Sequence, residues 1–182
     1  MHHDSMPVET PVQPLILTLA LDNPLSRTLN ALRQRHFPKE RNFLEAHVTL
    51  FHALPGDREA AMRHDLSAVC SETPTFGVAL PRLRHWGKGV FVELESSELL
   101  TVRGQLADRW GGLLTRQDRQ GYRPHVTIQN KVAKDEARSL YEALSPEWQP
   151  LTGDALSLKL WRYAGGPWVF AGSFDFRDGK GQ

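Results

Sequence analysis

Cysteine is almost absent from the sequence, since Cys70 is the only one among 182 residues. A single cysteine excludes an internal disulfide framework and any cysteine-rich zinc or iron–sulfur site. It also fits a reducing compartment, so we predict a cytoplasmic protein.

Long hydrophobic runs are missing as well. The densest apolar segment, from Pro14 to Leu21, has only the length of a strand, whereas a membrane-spanning helix needs about 20 apolar residues. The first ten residues include Asp4 and Glu9 and lack the apolar stretch of a secretion signal. We therefore expect no association with membranes.

The sequence also has no large excess of charge. It contains 22 Lys and Arg residues and 21 Asp and Glu residues, which gives a net charge of +1. Proteins that bind long stretches of nucleic acid by charge are usually strongly basic, so this class is disfavoured. A small anionic substrate needs only a few local donors and is compatible with the balance. The length favours one domain, and we expect a monomer.

The apolar residues that are present follow strand and helix periods in an order that occurs twice. Each half reads strand, helix, strand, helix, strand, and the second strands of the two halves lie 78 residues apart. Strands are predicted at 14–21, 46–54, 76–83, 90–94, 123–131, 156–163 and 168–176, and helices from Asn23, from Asp57 and at 97–114 and 135–144.

This repeat predicts an α+β fold with two pseudo-symmetric lobes, each an antiparallel sheet with helices packed outside, and an active-site cleft between them. A single bilobal domain is expected over 14–176, with flexible tails at 1–13 and 177–182. The alternative, a doubly wound parallel sheet, needs a glycine-rich phosphate loop after an early strand, and Leu21-Asp-Asn-Pro24 stands there instead. Glycine-containing turns at 87–89 and 165–167 favour antiparallel hairpins.

The two second strands share a tetrapeptide pattern, His47-Val-Thr-Leu50 and His125-Val-Thr-Ile128. Because side chains alternate along a strand, each histidine shares a face with the threonine two residues later. If the two polar faces meet across the cleft, one imidazole can act as base and the other as acid. The hydroxyls of Thr49 and Thr127 can donate hydrogen bonds to phosphoryl oxygens, so the set suits in-line attack on a phosphodiester.

Strand alternation adds three candidates for substrate binding. Arg123 shares the face of His125 and can contact a phosphate or an RNA backbone. Phe51 shares the face of His47 and can form the floor of the cleft or stack on a base. Trp161 is a further stacking candidate on the last sheet, although a tryptophan is more often plain core.

A metal site is the simplest alternative explanation for the histidines. The His-x-Thr pattern offers no second ligand at a useful spacing, and neither His-Glu-x-x-His nor a cysteine cluster occurs. No metal is therefore expected. His52 has the parity of the core residue Leu50, which excludes it as a catalyst.

The segments His47-Val-Thr-Leu50 and Pro124-His-Val-Thr-Ile128, with the bilobal order around them, resemble the two-histidine (2H) phosphoesterase superfamily. This superfamily includes RNA 2′,3′-cyclic phosphodiesterases and the proteins named 2′-5′ RNA ligases, and the resemblance covers about 14–176. It implies a metal-independent site without cofactors between two lobes. By the same resemblance His47 protonates the leaving oxygen, His125 activates water, and Thr49 and Thr127 hold the phosphate.

The resemblance implies a cyclic phosphodiesterase that opens 2′,3′-cyclic phosphates on RNA ends or nucleotides and leaves a 2′-phosphate. The nearest alternatives are reversible 2′-5′ RNA ligation and hydrolysis of 2′-5′ linkages or of ADP-ribose cyclic phosphate. A different class is a module that binds nucleotides or RNA ends without turnover, and a third is a structural protein with accidental motifs. The two complete motifs argue against a pure binder, which needs no pair of proton-transfer groups.

Overall fold

The computed structural model describes residues 12–178, in which strands and helices alternate along the chain. The strands are β1 (Leu15–Leu21), β2 (Val48–Leu54), β3 (Phe76–Trp86), β4 (Gly89–Glu95), β5 (His125–Gln129), β6 (Leu151–Arg162) and β7 (Val169–Asp175). The helices are α1 (Asn23–His36), α2 (Glu59–Glu72), α3 (Ser97–Trp110), α4 (Arg116–Arg119) and α5 (Lys134–Leu144). The predicted flexible tails lie largely outside the described residues.

Antiparallel pairing connects these strands in the order β2-β1-β6-β3-β4-β5, and β7 also pairs with β6. The predicted antiparallel α+β fold is therefore confirmed. The order is pseudo-symmetric, because β2-β1-β6 in one lobe corresponds to β5-β4-β3 in the other. Pro81 lies where the register between β3 and β4 shifts, as expected for a proline that marks a bulge.

One long strand, β6, joins the lobes into a single sheet. Its first part, from Leu151 to Ala155, pairs with β3, and its second part, from Ala155 to Arg162, pairs with β1. The sequence predicts this strand only from residue 156, which leaves out the part that contacts the other lobe. The lobes are consequently two ends of one sheet.

The two strands that carry the His-x-Thr motifs, β2 and β5, lie at opposite ends of the strand order and nevertheless contact each other. The sheet therefore curves until its ends meet. Helix α1 of the first lobe also packs against β5 of the second. This closure brings both motifs to one cleft.

Helix starts follow local capping chemistry in α1 and differ from the prediction in α2. The Asp22 side chain accepts a hydrogen bond from the backbone N–H of Leu25 at 2.9 Å, and Pro24 occupies the first turn of α1. Helix α2 was expected to begin at Asp57. It begins at Glu59, because a 3₁₀ turn occupies residues 56–58.

The leucine pattern predicts the buried positions of α3 only in part. Leu106 and Trp110 were expected to point inward and are buried, whereas Leu100 and, beyond the end of the helix, Leu113 were expected to point inward and are exposed. Leu99 is buried in place of Leu100 and joins the core that runs through both lobes. Among residues 12–178, none of the helices combines the length and the apolar composition needed to cross a membrane.

Candidate active site

Each motif histidine is held in the same way. The Nδ1 atom of His47 lies 2.8 Å from the Glu45 carbonyl oxygen, and the Nδ1 atom of His125 lies 2.8 Å from the Arg123 carbonyl oxygen. A carbonyl can only accept a hydrogen bond, so Nδ1 carries the hydrogen on both rings. In the neutral imidazole this leaves Nε2 as the nitrogen that can take a proton.

The threonine backbones are fixed by bonds that cross between the lobes. The Tyr122 hydroxyl, next to β5, donates to the Thr49 carbonyl at 3.0 Å. In the opposite direction the Arg33 guanidinium of α1 donates to the Thr127 carbonyl at 2.9 Å. His47 and Thr127, which belong to different motifs, line the same cavity of about 510 Å³. The structure thus brings one residue of each predicted motif to the same opening, whereas Thr49 and His125 do not line this cavity.

Aromatic rings flank both histidines, and the sequence reasoning missed them. Trp168 contacts His47 edge-on with 4.8 Å between ring centroids. Trp86 and Phe91 contact His125 edge-on at 5.3 and 5.1 Å. The available signal was the position of the two tryptophans, since Trp86 directly precedes one glycine-containing hairpin turn and Trp168 directly follows the other.

Burial makes both imidazoles weaker bases than usual. It lowers the pKa of His47 to about 4, against the hydrogen bond to the Glu45 carbonyl and with help from the positive charge of Arg33. Burial also lowers the pKa of His125, against the hydrogen bond to the Arg123 carbonyl. Both rings are therefore mainly neutral in the free protein at neutral pH.

Two buried arginines donate hydrogen bonds to the motif strands, and neither was identified from the sequence. Arg33 has 5% and Arg103 has 9% of its surface exposed. The Arg103 guanidinium donates to the Leu50 carbonyl at 3.4 Å and stacks over the Phe51 ring at 4.2 Å. Each arginine stands four residues after a buried leucine of its helix, so a charged residue at an apolar helical position was the signal.

Phe51 is completely buried, which corrects the expectation that it floors the cleft or stacks on a base. The register between β1 and β2 shifts at Leu50, so Leu50 and Phe51 both point into the core. The same shift turns His52 outward, where its Nδ1 lies 3.2 Å from the Asp118 carboxylate, and the expected core position of His52 is wrong.

The other two substrate-binding candidates lie near the motifs on opposite sides. Trp161 lines a cavity of about 400 Å³ together with His47, and its Nε1 donates to the Thr18 hydroxyl at 2.9 Å. The exposed Arg123 side chain lines a separate cavity on the side of His125. Within residues 12–178, no three His, Cys, Asp or Glu side chains cluster as a metal site requires.

The antiparallel sheet of two pseudo-symmetric lobes places His47 of one motif and Thr127 of the other on one cavity. The model of the 2′-5′ RNA ligase superfamily matches residues 21–167. The chain therefore belongs to this superfamily, the 2H phosphoesterases, and the predicted membership is confirmed.

Solved structures share the fold at low sequence identity. The structure of E. coli LigT complexed with 3′-AMP has a TM-score of 0.64 and 18% identity, and the match covers 91% of this chain and 99% of that one. TT0787 of Thermus thermophilus has a TM-score of 0.62 and 15% identity, with the same coverage. A sequence comparison with curated proteins finds no significant match.

Proposed function

We propose that the protein is a metal-independent phosphodiesterase that opens the 2′,3′-cyclic phosphate of an RNA end or a nucleotide and leaves a 2′-phosphate. One observation carries the proposal: two histidines from opposite lobes each have Nδ1 held by a carbonyl and Nε2 available for proton transfer. Membership in the superfamily supports a reaction at a phosphodiester. E. coli LigT with bound 3′-AMP supports a substrate of nucleotide size.

In the proposed reaction His125 and His47 exchange one proton each with the substrates. Nε2 of His125 takes a proton from water while the water oxygen forms a bond to phosphorus. The bond between phosphorus and the 3′-oxygen breaks, and protonated His47 gives its proton to that oxygen. The hydroxyls of Thr49 and Thr127 donate to the non-bridging oxygens, whose charge must be stabilised during the exchange.

Joining of RNA ends is the second candidate, because the matching family is named for 2′-5′ RNA ligation. A 5′-hydroxyl then replaces water as the nucleophile, so His125 takes the proton of that hydroxyl and His47 again gives its proton to the departing 3′-oxygen. The strain of the cyclic phosphate would supply the energy for joining. Incubation of a cyclic-phosphate-ended oligonucleotide with an acceptor that carries a 5′-hydroxyl tests this candidate, and the longer product would be resolved on a gel.

The direct test is incubation of the purified protein with adenosine 2′,3′-cyclic phosphate and with a cyclic-phosphate-ended oligonucleotide in excess EDTA. We expect 2′-AMP as the product and the same rate with and without the chelator, because two imidazoles supply both proton transfers. Chromatography separates 2′-AMP from 3′-AMP. A rate that disappears in EDTA and returns with added metal would contradict the mechanism, and binding without turnover would identify a nucleotide-binding module.

The pH dependence of kcat/KM is expected to be bell-shaped with its maximum on the acid side of pH 6.5. The productive free protein has one protonated and one neutral histidine, and burial lowers the pKa of both below the usual 6.5. As pH rises above the higher of the two pKa values, the proton donor is lost and kcat/KM falls. The maximum of kcat is expected at higher pH, because a bound phosphate anion favours the imidazolium.

The measurement is kcat and KM for adenosine 2′,3′-cyclic phosphate across the pH range, with the folded fraction followed by circular dichroism at each pH. A flat kcat/KM profile between pH 5 and 8, or a maximum on the alkaline side, would contradict the assignment.

A further inference from the structure

The cavity of about 510 Å³ beside the candidate active site has an unusual charge balance. Arg33, Arg41 and Lys131 line it, and none of its described lining residues is Asp or Glu. Because His47 and Thr127 also belong to its lining, the cavity begins where the proposed function puts the reacting phosphate. Its positive charge therefore lies next to the reaction and extends beyond it. We call it the cationic cavity.

Arg33 forms the buried wall of the cationic cavity. Its Nε donates to the Asn42 side-chain oxygen at 2.8 Å, its guanidinium bonds the Thr127 carbonyl, and its charge lies 4.1 Å over the Phe37 ring. None of these partners is negatively charged, and no ion pair formed within residues 12–178 includes Arg33. A buried guanidinium without a counter-charge is costly, and an anion in the cavity would offset that cost.

Arg41 and Lys131 supply exposed charges from the two lobes. Arg41 ends the 3₁₀ turn that follows α1, and Lys131 comes two residues after β5. Neither takes part in an ion pair among the described residues. Lys131 has a φ of 63°, a left-handed conformation that a lysine rarely adopts and that its surroundings must stabilise. Both side chains are thus available to an anion that enters from solvent.

The cavity of about 400 Å³ adjoins the cationic cavity, because His47 and Trp168 are among the residues that line both, but the rest of its lining differs. That part includes Glu45, Lys159 and the ring of Trp161. A mixed charge beside an indole suits a nucleoside, whereas three cations without a carboxylate suit a phosphate. The two cavities therefore favour different parts of one substrate.

We propose that the cationic cavity binds a second phosphate of the substrate, located on the 5′ side of the nucleotide that carries the cyclic phosphate. A nucleotide whose 2′- and 3′-oxygens are both in the cyclic phosphate has its 5′-oxygen left for another phosphate. In an RNA chain this group is the phosphodiester to the preceding nucleotide, and in a free nucleotide it is a terminal 5′-phosphate. The inference rests on the proposed function for the position of the reacting phosphate.

Three substrates distinguish the effect of the second phosphate on kcat/KM from the effect of the rest of the RNA chain. They are adenosine 2′,3′-cyclic phosphate, the same compound with a 5′-phosphate, and the dinucleotide ApA with a terminal 2′,3′-cyclic phosphate. We expect a kcat/KM about tenfold higher for the second and third than for the first, the gain of one charge-assisted arginine–phosphate contact. In the double variant Arg41→Ala/Lys131→Ala the ratio between substrates is expected to fall to about one.

Arg35→Ala is the matched control. Arg35 is an exposed arginine of α1 that lines neither cavity, so its replacement removes one positive charge, against two in the double variant, without touching the site. This variant is expected to keep the wild-type ratio. A gain limited to the dinucleotide and lost in the double variant identifies the phosphodiester of an RNA end as the ligand. A wild-type ratio near one, or a gain that survives the double variant, would overturn the proposal.

A binding measurement tests the inference even if the protein shows no turnover. Calorimetry compares adenosine 2′,5′-bisphosphate with 2′-AMP, which differ only by the 5′-phosphate. Tighter binding of the bisphosphate by wild type, with the margin lost in the double variant, would support the second-phosphate site even if the proposed reaction fails. Equal binding of the two compounds would overturn it.

Discussion

Replacement of His125 by alanine is expected to lower kcat/KM for adenosine 2′,3′-cyclic phosphate about 10³-fold, and His47→Ala should have an effect of the same order. Each substitution removes the Nε2 atom that the proposed reaction uses, while the Nδ1 bonds to backbone carbonyls are local and their loss disturbs little else. His64→Ala is the control, because His64 is an exposed histidine of α2 outside the site. Turnover that survives both His47→Ala and His125→Ala would refute the site.

A substrate with an activated leaving group separates the two roles. A p-nitrophenyl phosphodiester of a nucleoside needs no proton on its leaving oxygen, so the loss of the general acid matters little. His47→Ala should therefore recover most of its activity on this substrate, whereas His125→Ala should remain inactive. The opposite pattern would reverse the assignment of acid and base.

Arg103→Ala is expected to have the second large effect, a decrease of about 3 kcal/mol in the free energy of unfolding. The substitution leaves the buried carbonyls of Leu50 and Asp118 without their donor and removes the guanidinium that fills the space over Phe51 and Tyr122. Urea unfolding followed by tryptophan fluorescence measures the change as a lower midpoint.

Arg109→Ala is the matched control on the same helix. Arg109 forms an exposed ion pair with Asp65 at 3.1 Å, and the loss of such a pair costs about 0.5 kcal/mol. Equal destabilisation by the two variants would contradict the stabilising role assigned to Arg103. A large effect of Arg103→Ala on stability with a smaller one on KM would identify it as a residue that positions β2.

The strands and the two motifs could be predicted because their signals are local. Short apolar runs or alternation of apolar and polar residues mark the strands, and a histidine and a threonine two positions apart must share a face wherever the strand is regular. The glycine turns at 87–89 and 165–167 likewise sit in real hairpins, between β3 and β4 and between β6 and β7. These features need no knowledge of the rest of the chain.

What could not be predicted depends on pairing between distant segments. The outward turn of His52 and the burial of Phe51 follow from a register shift between β2 and β1. One inserted residue reverses the positions after it, until a second shift before Leu54 restores the buried face. The roles of Arg33 and Arg103 depend on carbonyls in the opposite lobe, which no helical pattern reveals. In α3 the prediction placed Leu100 rather than Leu99 in the core because the two side chains are equally apolar, although Leu106 and Trp110 are buried as predicted.

The third strand of each half pairs with strands of the other half, and this limits how far the molecule can be divided into independent parts. Among the described residues β3 pairs with β4 and β6, both from the second half, while β6 completes the sheet beside β1. A chain cut between β3 and β4 would yield two fragments that each lack a strand of their lobe. Each fragment would also lack both crosswise bonds to Thr49 and Thr127, because the donor and acceptor of each bond lie in different fragments. We expect the fragments to be inactive alone and to regain activity only when mixed.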